Sequence, residues 1–136
     1  MQNVPGESAI EALVHAIGDG QVVAGADVEA RYLRDWMVPM ASGRPLALVR
    51  PRSPADVAAA VRVCHELGLP LVTQGGLTGL VGGATPTANA VVLSLERLNG
   101  IEEVDAAAAT LTALAGTPLQ AIQQAAADAG FLFPLD

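Results

Sequence analysis

Apolar residues recur at the helical interval early in the chain. Ile10, Leu13, Val14 and Ile17 fall at i, i+3, i+4 and i+7, after Pro5 and before Gly18, which predicts a first helix. Residues 26–37 read as a short second helix, with Tyr32 and Trp36 four apart on one face as packing residues. The pattern then changes: Leu46, Ala47, Leu48 and Val49 form an apolar run closed by Arg50 and Pro51, a strand. Ser53 follows as an N-cap, with Pro54 at the first helical position and Asp56 in the first turn. The helix they open carries Val57, Val61 and Cys64 on one face, is extended by Leu67, and stops at Gly68 with Pro70 beyond. Leu71, Val72 and Thr73 make the next strand, so this stretch predicts a parallel strand, helix, strand crossover. A third strand is expected over 91–95, and an antiparallel pair over 101–104 and 110–114. The turn between that pair, 105–109, lacks good turn residues after Asp105. Thr117, Pro118 and Gln120 read as a capping box opening a helix that runs to Ala129 and ends at Gly130.

Composition narrows the classes. The chain has 136 residues, 51% hydrophobic and 15% charged, which suits one buried globular domain and excludes a disordered polyelectrolyte. Its formal net charge of −7, with no basic run, excludes a phosphate-neutralising nucleic-acid surface. Every cation is an arginine, a pattern that reads first as compositional bias. It also removes P-loop and Schiff-base chemistry, which need a lysine. Cys64 is the single cysteine, so no intrachain disulfide or cysteine-rich metal site is expected, and a reducing, cytoplasmic setting is the default. No secretory leader is read in residues 1–10 and no apolar run is long enough to span a membrane.

Candidate chemistry concentrates in residues 73–84, where Gly75, Gly76, Gly79, Gly82 and Gly83 directly follow a strand. Glycines free the backbone from the Cβ restriction, so successive N–H groups can turn toward one anion. The stretch reads either as a tight turn or as such a nest. With no Arg or Lys in it, an anion would be held by backbone donors and the Thr78 hydroxyl. It matches neither G-x-G-x-x-G in a strand-to-helix setting nor a P-loop.

The run from Gln74 to Gly83 is preceded by Leu48, Val49, Arg50, Pro51, Arg52 and Ser53. It is followed by residues 91–99, from Val91 to Asn99, and by Phe133, Pro134, Leu135 and Asp136. Together these motifs, over about residues 31–136, resemble the PCMH-type FAD-binding domain of the vanillyl-alcohol oxidase/p-cresol methylhydroxylase superfamily. They are most similar to its FAD-linked 2-hydroxyacid dehydrogenases, the D-lactate, glycolate and D-2-hydroxyglutarate enzymes. The resemblance implies an α+β fold in which a small parallel βαβ lobe is followed by the start of a second α+β lobe, with FAD held between them. It places the pyrophosphate at Thr73, Gln74, Gly75, Gly76, Leu77, Thr78, Gly79, Val81, Gly82 and Gly83. Pro51 and Gly116 would lie along the cofactor, and Pro134 and Leu135 near the flavin ring. Leu77 stands where this subgroup usually has Asn and where covalent relatives have His nearby, which implies non-covalent FAD.

The resemblance further implies a small 2-hydroxyacid substrate met through a cap domain beyond this sequence. It leaves the electron acceptor open, along with peripheral membrane attachment through that acceptor and homo-oligomerisation. Because the family's second glycine-rich FAD segment is missing and residues 131–135 end on an apolar run, 44–136 is expected to be the N-terminal part of the FAD-binding domain, cut at its C-terminal end. Residues 1–43 would be a helical segment before it. His15, His65 and the Glu102 and Glu103 pair read as surface or packing residues, and Cys64 as a buried, inert thiol, so no catalytic residue and no metal site are assigned. The alternatives are a non-catalytic nucleotide- or phosphate-binding module, and an inactive fragment.

Overall fold

Ser53 caps the first long helix of the parallel unit: its Oγ accepts the Asp56 N–H at 3.1 Å. The helix, α2 (Pro54–Leu67), ends on Gly68 in the left-handed conformation, φ 64°. The computed structural model describes residues 6–36 and 43–135. Around α2 lie α1 (Gly6–Ile17), β1 (Val22–Ala24), β2 (Ala47–Val49), β3 (Leu71–Gln74) and β4 (Val91–Ser94). The strands form one sheet in the order β1-β2-β4-β3, β1 antiparallel to β2 and the rest parallel. The crossover from β2 through α2 to β3 is therefore parallel as expected, but β4 is inserted between its two strands.

Alternation along the strands gives the sheet two apolar faces. Ala47, Val49, Val91 and Leu93 meet Leu13 and Ile17 of α1 and Ala60 and Cys64 of α2. Leu48 and Val92 point the other way, against Val28, Tyr32 and Leu33. Val61 is exposed, so the buried face of α2 runs through Val57, Ala60 and Cys64 instead. Burial pushes the Cys64 thiol pKa up, which suits an unreactive packing role.

Residues 26–36 do not form the expected α-helix. They make short 3₁₀ turns at Gly25–Asp27 and Ala30–Leu33, separated by extended Val28 and Glu29. The reason is local: Arg44 Nη1 takes the carbonyls of Gly25, Ala26 and Val28 at 3.0–3.2 Å, acceptors that an α-helix would use internally. Tyr32 and Trp36 consequently part company, Tyr32 buried at 1% exposure and Trp36 out at 77%. Met37 lies outside the described residues.

A second, two-stranded sheet pairs β5 (Ile101–Asp105) with β6 (Thr110–Ala113), and α3 (Leu119–Asp128) packs on it. Asp105 supplies the turn chemistry the alanines lack: its Oδ1 accepts the N–H groups of Ala107 and Ala108, at 2.9 and 3.0 Å. The expected capping box is absent. Pro118 holds the N-cap position without a side-chain cap bond, and the Thr117 hydroxyl is engaged elsewhere. It accepts the Gly100 N–H at 2.9 Å and lies 2.6 Å from the Leu114 carbonyl, pinning the two ends of the hairpin together.

Candidate cofactor site

The glycine loop leaves the carboxyl end of β3, the rim at which open parallel sheets present ligands. A Cβ built on Gly75, Gly76, Gly79 or Gly83 would meet nothing within 4 Å, so the fold itself does not demand glycine there. Nor are these residues in left-handed backbone; that conformation falls on Gly82, φ 81°, and on Leu77, φ 59°. Across residues 75–81 the backbone N–H groups make no hydrogen bond among the described residues. Open space beside unclaimed donors is the arrangement an anion needs.

The loop is nonetheless anchored. Gln74, buried at 1% exposure, donates its amide to the carbonyls of Tyr32 and Ala84, 2.8 Å each. Gly82 donates its N–H to the Asp35 carboxylate at 2.5 Å. The Trp36 N–H reaches the Gly79 carbonyl at 3.2 Å. Leu77 turns its half-buried side chain into the cluster of Val28, Tyr32 and Leu33, which offsets the roughly 1–2 kcal/mol its left-handed backbone costs. Three buried polar atoms, Gln74 Oε1, Thr85 Oγ1 and Ser94 Oγ, have no hydrogen-bond partner among the described residues. Gln74 and Ser94 are register partners, and Thr85 follows the loop's closing residue.

The other expected site residues are placed differently. Thr73, Thr78 and Val81 are exposed on or beside the loop. Pro51 is fully buried. Gly116 lies under the turn leaving β4, where a Cβ would come within 1.9 Å of the Leu95 carbonyl oxygen; its N–H is spent on Leu98 at 2.7 Å. Pro134 lines an open groove of about 590 Å³ with Gln120, Gln124, Phe131 and Phe133, and Leu135 is exposed. No loop residue lines that groove.

Sequence reasoning missed the hub beneath the site. Glu96, just past β4, accepts from the Tyr32 hydroxyl at 2.5 Å and from Arg50 Nε at 2.8 Å, and pairs with Arg31 at 3.2 Å. Burial pushes the Glu96 pKa up, but Tyr32, Arg31 and Arg50 outweigh it and hold the carboxyl below its ordinary value. Burial, reinforced by Glu96, raises the Tyr32 hydroxyl. No periodicity marks such a cluster; only the pairing of β2 with β4 brings Arg50 to Glu96. Because the folded carboxyl titrates lower than the unfolded one, its stabilisation is full above the ordinary glutamate value of about 4.3. It is lost as pH falls through the depressed folded value. Glu96→Gln should thus lower neutral-pH stability by about 2 kcal/mol and flatten the acid side of a urea-midpoint profile. An unchanged midpoint at neutral pH would contradict the hub.

Among the described residues no helix is long and apolar enough to cross a membrane. No group of metal-ligating side chains is present among them either. Residues 45–136 match the family model described as FAD binding domain. The chain is 42% identical over 111 residues to a D-2-hydroxyglutarate dehydrogenase of Xanthomonas citri pv. viticola, covering 82% of this chain and 23% of that protein. It is 37% identical over 102 residues to the mitochondrial D-2-hydroxyglutarate dehydrogenase of Bos taurus, covering 75% and 19%. A putative mitochondrial D-lactate dehydrogenase of Schizosaccharomyces pombe is 33% identical over 138 aligned positions, covering 96% and 26%. The chain thus spans about a quarter or less of these relatives. Among solved structures, p-cresol methylhydroxylase with substrate bound superposes with a TM-score of 0.76 at 23% identity, over 92% of this chain and 25% of that one. Alkyldihydroxyacetonephosphate synthase gives 0.78 at 18%, over 91% and 25%. At such identities these two establish the fold alone: a mixed α and β architecture on a parallel sheet.

Proposed function

Because this chain belongs to the FAD binding domain family, we propose that it forms the pyrophosphate-holding wall of the FAD site in a flavin-dependent oxidoreductase acting on a small 2-hydroxyacid. The observation that carries the reading is the run of N–H groups over 75–81 left unclaimed among the described residues, beside glycines whose missing side chains leave open space. Those residues fit a diphosphate held by neutral donors, with the Thr78 hydroxyl as a further one. The loop itself carries no Arg or Lys, so its hold on an anion rests on backbone geometry. FAD, when bound, supplies the capacity to accept a hydride from a CH–OH group. The protein's part is to hold the cofactor in place and, through Leu77, to hold it without a covalent bond, since Leu offers no nucleophile.

The substrate class is supported by relatives named for D-2-hydroxyglutarate and D-lactate. A cap domain would complete the substrate site, and the described residues present no cationic cluster at the loop to clamp a carboxylate. Pro51 and Gly116 are proposed to support the site from beneath, Pro134 and Leu135 to face the flavin. A reducing interior compartment suits the single Cys64, cytoplasmic or, as two relatives' names have it, mitochondrial.

Purified full-length protein tests the reading in one preparation. It should show flavin absorbance, release all its flavin into the supernatant on acid precipitation, and reduce a dye with D-lactate or D-2-hydroxyglutarate. Flavin left on the denatured chain would contradict non-covalent binding. A colourless protein that takes up no added FAD would contradict the whole reading.

A further inference from the structure

We infer that residues 32–36 are a strap that preorganises the glycine loop, with Asp35 as its positioning residue, an inference resting on the FAD reading above. The strap meets the loop at its neck, its middle and its far end. Gln74 binds Tyr32 and Ala84 together, so the two ends of the loop close on one amide. Trp36 takes the Gly79 carbonyl in the middle. Asp35, 3% exposed, takes the Gly82 N–H where the backbone turns left-handed. The strap has its own footing, since the Tyr32 hydroxyl is fixed on Glu96.

A carboxylate beside an anion site is the wrong sign for attraction. What it offers instead is a strong acceptor, which a charge-assisted N–H bond exploits. By taking the donor at Gly82, it holds residues 75–81 between two fixed ends. The loop's ordering is then completed on folding rather than on binding, which raises affinity without any contact to the ligand. Removing the acceptor should harm binding most, and removing only the charge should cost part of that loss.

FAD binding to flavin-stripped full-length protein is read from the change in flavin fluorescence as the cofactor is titrated in. Asp35→Ala should weaken FAD about ten- to a hundredfold, the range of a hydrogen bond to a charged group. It should also speed amide hydrogen exchange at Gly82 while β4 stays protected. Asp35→Asn, which keeps an acceptor oxygen but not its charge, should lose less affinity than Asp35→Ala, about threefold to tenfold. If Asp35→Ala does not fold, the Asn variant still decides: a hundredfold or greater loss there, with Gly82 still protected from exchange, would overturn the acceptor role. Undiminished affinity in Asp35→Ala with Gly82 released would overturn the strap and leave the FAD reading standing. Failure of the unmodified protein to bind FAD would instead strike the reading itself.

Discussion

Gly76→Val is expected to leave the fold intact and abolish flavin retention. The structure separates the two effects. Gly76 is exposed, its backbone is not left-handed, and an added Cβ meets nothing within 4 Å, so stability should change by about 0.5 kcal/mol or less. A branched side chain would, however, fill the space from which a phosphate approaches the N–H groups of 75–81. Losing even one charge-assisted bond there removes about 3 kcal/mol, roughly a hundredfold in affinity. Gly79→Val should behave alike. The check is flavin content after purification beside a urea titration. Stoichiometric FAD in either variant would sink the loop assignment, and a large loss of stability would show that the glycines serve the fold.

Gly116→Ala should do the reverse. The new methyl would stand 1.9 Å from the Leu95 carbonyl oxygen and 2.9 Å from that of Leu98, both backbone atoms with no rotamer in which to escape. The turn after β4 and the turn before α3 must separate, and the Gly116 N–H bond to Leu98 at 2.7 Å goes with them. A loss of about 3 kcal/mol is expected, at the upper end of overpacking effects, against a total stability of order 5–15 kcal/mol. Urea denaturation reads it directly; a wild-type midpoint would contradict the close crossing. The contrast between Gly76 and Gly116 distinguishes glycine kept for a ligand from glycine kept for packing.

Local rules were legible in the chain where one short segment decides the outcome. Ser53, Pro54 and Gly68 bound α2 as capping chemistry requires, and the apolar run that begins at Val91 carries through to a strand with two apolar faces. Non-local competition hid the rest. Residues 26–36 hold a helical period, yet Arg44, distant in sequence, removes the carbonyls that a helix needs. Thr117 has capping composition, but Gly100 claims its hydroxyl. β1 is too short to be read alone and exists through pairing with β2. The glycine loop stood out by composition, whereas its anchors, Asp35 and Glu96, are ordinary acidic residues until the fold brings Gly82, Tyr32 and Arg50 to them.

The central claim, that backbone donors of 75–81 hold the FAD pyrophosphate, is tested most directly by amide resonances of the ¹⁵N-labelled 136-residue chain titrated with FAD. One wall of a cleft binds weakly, and chemical shifts report weak binding. The resonances of Gly75, Gly76, Leu77, Thr78 and Gly79 should move saturably, with ADP producing the same shifts. Gly82, already bonded to Asp35, should move little, and β5 and β6 not at all. Saturable shifts elsewhere in the chain, with the loop resonances unmoved, would contradict the account.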